Sequence, residues 1–102
     1  MKSIYVRYSS TSAKYGYEIE STPMYKEYSE YGICIVKNKY SGMYTIIDTQ
    51  TGLYCGRRFS KLKDAKSFIE NGKNDYMFLN WYDAVEHART TERYKKLIIK
   101  VR

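Results

Sequence analysis

Residues 31–59 read Tyr31-Gly32-Ile33-Cys34-Ile35-Val36-Lys37-Asn38-Lys39-Tyr40-Ser41-Gly42-Met43-Tyr44-Thr45-Ile46-Ile47-Asp48-Thr49-Gln50-Thr51-Gly52-Leu53-Tyr54-Cys55-Gly56-Arg57-Arg58-Phe59. The run 32–36 is nearly continuous in apolar, mostly β-branched residues, the mark of a strand buried on both faces or at the sheet centre. Residues 37–42 are polar and form a turn. Residues 43–47 make a second strand, and 48–52 form a tight hairpin loop in which Gly52 supplies the positive φ. A third strand covers 53–55, after which 56–59 lead out of the sheet. The reading is an antiparallel sheet that includes 31–36, 43–48 and 53–55.

Outward from this segment, Ser60 reads as a helix N-cap and Gly72 as the C′ residue of a helix over 60–71. Leu62, Ala65, Phe68 and Ile69 fall on its apolar side, opposite Lys63, Asp64, Ser67 and Glu70. Asn80 caps a second helix on which Trp81, Ala84, Val85 and Ala88 recur at helical spacing. Leu97, Ile99 and Val101 alternate as a closing strand. Toward the N-terminus, 3–8 alternate as a strand, 9–12 form a polar loop and 15–19 a second strand that Pro23 ends. Residues 24–30 are ambiguous, since Pro23 behind Ser21 or Thr22 suits the start of a short helix. The expectation is a small α+β fold, one domain over 1–102, with an antiparallel sheet and two helices packed on it.

The 102 residues fit one hydrophobic core, and 43% hydrophobic content favours folding over disorder. No apolar run approaches the roughly 18 residues of a membrane span. The N-terminal residues lack the apolar stretch of a secretory signal, so the expected location is the cytoplasm of a bacterial host cell. The net charge of +7 is uneven: residues 1–36 are neutral, 37–74 carry +5 and 75–102 carry +2. The middle third is therefore where a polyanion or an acidic protein surface is attracted. Thirteen tyrosines, nine of them before residue 45, suit sheet packing, and Tyr also stacks on bases and anchors protein interfaces.

Catalytic constellations are not recognisable. His87 is the single histidine, and Glu86 flanks it without facing it. No nucleophile elbow, zinc-protease motif or phosphate-cradling glycine loop occurs. Cys34 and Cys55 lie far apart without a CxxC motif, so buried reduced thiols are expected; a disulfide requires their Cα atoms within about 7 Å. The expectation is a non-catalytic binding protein with no metal and no cofactor. Its candidate binding residues are Lys37, Lys39, Tyr44, Tyr54, Arg57, Arg58, Lys61, Lys63 and Lys66.

Three strands followed by a helix opening Lys61-Leu62-Lys63-Asp64-Ala65-Lys66 resemble the end of a double-stranded RNA-binding domain and the arm-binding domain of transposon integrases. That resemblance covers residues 31–72 and implies phosphate contacts from Lys61, Lys63 and Lys66. In size and in its Tyr- and Lys-rich composition the chain is also similar to accessory proteins of phages and mobile genetic elements, anti-CRISPR proteins among them. This second resemblance implies a non-catalytic inhibitor whose partner is a host nuclease or CRISPR effector protein, or its guide RNA. The alternative is direct DNA or RNA binding through the basic segment 57–66; membranes are not an expected partner.

Overall fold

The computed structural model describes residues 2–9 and 16–99. Five strands form an antiparallel sheet in chain order: β1 (Ser3–Ser9), β2 (Tyr17–Tyr28), β3 (Ile33–Lys37), β4 (Tyr44–Asp48) and β5 (Tyr54–Phe59). Helix α1 (Leu62–Glu70), a 3-10 turn (Gly72–Asn74), α2 (Tyr76–Ala88) and a short α3 (Glu92–Lys96) follow. The fold is α+β, as expected.

β3 is buried on both faces because each face has its own cover. Ile33 and Ile35 join Ile46, Ala65, Ile69 and Phe78 on the helix side, with Leu62 and Phe68 packed against that cluster. Cys34 and Val36 join Val6, Tyr8 and Ile47 on the far side. The far cover arises because β2 serves two partners. Its first half pairs with β1, Ser3 opposite Pro23, and its second half pairs with β3, Met24 opposite Val36, across a bulge at Tyr25. The N-terminal hairpin thus folds over β3 and β4, and the Arg7 N–H reaches the Gly52 carbonyl at 2.9 Å. Gly52 is required twice: its φ is +74°, and a Cβ there would lie 2.4 Å from the Tyr5 carbonyl oxygen.

Several expectations give way to tertiary structure. Residues 24–30 form no helix, because β2 runs on through Pro23 to Tyr28. Proline is tolerated where the strand changes partners and no ladder donor is needed. Residues 56–59 do not leave the sheet; β5 continues to Phe59 across a bulge that holds Gly56 at φ +83°. Residue Lys61, without a side-chain bond, stands at the α1 N-cap in place of Ser60. Gly72 does not take the left-handed cap conformation, and its constraint is space, since a Cβ would lie 2.4 Å from the Phe78 ring. α2 starts four residues before Asn80 at Tyr76, because the Asp75 side chain accepts from the Met77 N–H at 2.9 Å. The segment from 97 to 99 is not a strand; α3, capped by Thr91, precedes it, and Ile99 makes one backbone bond to Gln50. Val101, Tyr15 and most of the loop 9–12 lie outside the described residues.

Candidate nucleic-acid interface

β5 is the last strand of the sheet and feeds α1 directly. Around this edge the structure distributes the expected binding residues over two faces. Arg57 lies on the helix side, its guanidinium 4.8 Å above the Phe68 ring centre. Such a cation–π contact satisfies the planar cation while leaving its charge unneutralised. Lys61 stands at the start of α1, and Lys63 and Lys66, three apart, share a helix face. Arg58 points the other way, into a groove of about 250 Å³ lined by Val6, Tyr8, Thr45, Ile47 and Tyr54. Arg57, Arg58, Lys61, Lys63 and Lys66 form no ion pair with the described residues.

Of the remaining expected residues Lys39 and Tyr44 are already engaged, whereas Lys37, like Arg57, rests on an aromatic ring without an ion pair among the described residues. Lys39 pairs with Glu20 and sits over the Tyr8 and Tyr40 rings. Its ammonium pKa is raised, chiefly by the Glu20 hydrogen bond. Lys37 lies 5.7 Å over the Tyr44 ring, and Tyr44 packs edge-on against Tyr25 beside the helix-side core. Tyr44 therefore serves packing, whereas Tyr54 keeps 49% of its surface exposed. The basic segment 57–66 thus divides into a helix-side set (Arg57, Lys61, Lys63, Lys66) and Arg58, which shares the groove with Tyr54.

A buried polar network, not signalled by any motif, holds the C-terminal helices in place. Asp48, 3% exposed, accepts hydrogen bonds from Arg89 Nε at 3.0 Å, from the Thr51 N–H and hydroxyl, and from the Tyr94 hydroxyl. Arg89 also donates to the Tyr31 and Gly32 carbonyls and to the Tyr82 hydroxyl. Partial burial opposes the Arg89 charge, but its bonds to Asp48 and Tyr82 prevail and raise its pKa. Burial, aided by the Asp48 charge, pushes the Tyr94 hydroxyl up to about 12. Every group here has a partner, so the network reads as a structural clamp.

Cys34 and Cys55 are free thiols on opposite faces of the sheet, Cys34 in the far core and Cys55 beside the helix-side core. Burial pushes both up to about 12, which keeps them protonated and weakly nucleophilic at neutral pH. Among the described residues no group of three or more His, Cys, Asp or Glu side chains is placed to hold a metal ion. No described helix is long and apolar enough to cross a membrane. In comparisons with family models, curated proteins and solved structures, none matched the chain.

Proposed function

We propose that this chain is a non-catalytic binding protein whose basic, tyrosine-bearing β5 edge engages nucleic acid. In the setting suggested by its size and composition, that nucleic acid is the guide RNA of a host-defence nucleoprotein, which the chain inhibits in the manner of an anti-CRISPR protein. The observation that carries the binding reading is the set of cations at β5 and α1 that face no acidic partner among the described residues. Unneutralised cations grouped on one edge are what a phosphate backbone exchanges for its condensed counterions. The inhibitor setting draws its support from the resemblance in size and composition.

Two measurements test the reading. Four helix-side cations meeting phosphates on a duplex give a slope of log K against log salt of about −3 to −4. Replacing Lys63 and Lys66 by Ala then reduces the slope by about two and weakens all sequences alike. Capture of a CRISPR effector from lysate only when its guide RNA is loaded supports the inhibitor setting. Binding to free DNA or RNA without effector capture favours an accessory nucleic-acid-binding protein. Affinity for naked nucleic acid weaker than about 10⁻⁴ M near physiological salt, with no effector retained, overturns the proposal.

A further inference from the structure

We infer that the groove on the far side of β5 is a subsite for one nucleotide of an unpaired strand, its base against Tyr54 and its phosphate at Arg58. This inference rests on the nucleic-acid reading above and goes beyond it by naming the strand type and the residues.

The bulge in β5 assembles the pair. Ile47 stands opposite Tyr54 and Thr45 opposite Arg58, so four residue steps along β5 are matched to two along β4. In a regular strand, positions four apart are separated by about 13 Å, whereas two steps of β4 span about 7 Å. The bulge therefore sets Tyr54 and Arg58 side by side on one face, beside Thr45 and Ile47, where both line the same groove. It does so through Gly56, which has φ +83° and open space where a Cβ would stand. The glycine is needed there for its backbone conformation alone.

The lining matches a stacked nucleotide in chemistry as well as in spacing. The Tyr54 ring is half exposed, and Tyr40, 66% exposed, stands at the rim. The Arg58 side chain is exposed and forms no hydrogen bond or ion pair with the described residues, so its charge is free for an anion. The other cations near the groove are committed. Arg7 donates to the Thr51 and Leu97 carbonyls, and Lys39 pairs with Glu20. The neighbouring acids are Glu20, held by Lys39, and Glu18, 3.5 Å from the Tyr40 hydroxyl. An aromatic ring beside an uncommitted cation, with Val6 and Ile47 as an apolar floor, is the arrangement single-strand binders use for bases and backbone. A duplex keeps its bases stacked inside and offers no free face to Tyr54.

The test uses the full chain with fluorescent oligothymidylate, oligouridylate and a random duplex, followed by anisotropy at several salt concentrations. Tyr54→Ala is expected to weaken both single strands about thirtyfold, the middle of the range for one stacked base, and to leave duplex binding unchanged. Tyr54→Phe keeps the ring and binds like wild type. Arg58→Gln lowers the single-strand salt slope by about 0.7, one phosphate contact. Gly56→Val, which strains the bulge, reduces single-strand binding as Tyr54→Ala does; circular dichroism checks that the sheet persists. If single strands bind wild type, Tyr54→Ala and Arg58→Gln equally well, the groove assignment is overturned while the basic edge stands. If wild type binds no single strand but binds duplex with a Lys63- and Lys66-dependent slope, the groove assignment also fails on its own. Absence of binding to every nucleic acid removes both readings.

Discussion

Arg89→Met removes the guanidinium that joins α2 to the sheet, and the structure sets the size of the effect. The wild-type group makes an ion pair with Asp48 at 2.9 Å and donates to the Tyr31 and Gly32 carbonyls at 2.8 and 3.1 Å. Gly32, with φ +64°, leaves the room: a Cβ there would lie 3.1 Å from Arg89 Nη2. Breaking a buried pair from one side costs about 3–5 kcal/mol, because the surviving charge stays buried. Here the Asp48 carboxylate keeps Thr51 and Tyr94 as donors, and the Arg89 side chain is 22% exposed, so about 3 kcal/mol is expected. That is a large share of the roughly 5–15 kcal/mol that holds a domain folded. In urea denaturation followed by circular dichroism, the midpoint should fall with the slope unchanged; in a thermal melt, Tm should drop by about 12 °C or more. Asp48→Asn supplies the second arm of a double-mutant cycle. With the charge gone, Arg89→Met should cost at least about 1 kcal/mol less than in wild type. Stability of Arg89→Met within about 0.5 kcal/mol of wild type, or strict additivity with Asp48→Asn, would refute the clamp.

Two further outcomes follow from the core and from titration. Phe68→Ala should cost about 3 kcal/mol, the low end for a phenylalanine truncation, since the ring is only partly buried yet packs against Phe59, Phe78 and Trp81; equilibrium unfolding checks it, and a change under about 0.5 kcal/mol would place Phe68 outside the core. Tyr94 titrates at about 12 in the folded chain against 10 unfolded, so its contribution is complete below pH 10 and lost as pH rises to 12. Unfolding of wild type and Tyr94→Phe across this window should show the variant losing less stability; parallel curves would rule out this role.

The candidate site was legible as composition and only partly as geometry. Arg57, Arg58, Lys61, Lys63 and Lys66 stand out in the sequence as a basic run, and all five are without an acidic partner among the described residues. Adjacency in a strand sends neighbouring side chains to opposite faces, however, so Arg57 and Arg58 cannot act as one patch. The sequence shows Lys39 as a cation beside Lys37, but its engagement with Glu20 requires β2 to lie next to the turn after β3. The Asp48–Arg89–Tyr94 network joins residues more than 40 positions apart, and no local signal announces it.

What the amino-acid order determined by itself is what depends on near neighbours. The apolar run 33–36, the Gly52 hairpin and the spacing of Leu62, Ala65, Phe68 and Ile69 each name their element through local energetics, and the structure keeps all three. Tertiary structure decided the elements whose local preferences were weak or opposed. β2 passes through Pro23 because β1 and β3 supply backbone partners on its two sides. β5 extends through Gly56 because pairing with Tyr44 and Thr45 outweighs the glycine's pull toward a loop. Residues 97–99 form no strand, and the short α3 before them is held as Tyr94 docks its hydroxyl on Asp48 and Gln50. Propensities are worth a few tenths of a kcal/mol per residue, whereas ladder pairing and burial act over many residues together. Where the two disagree, long-range contact prevails, and those contacts cannot be read from residues close in the chain.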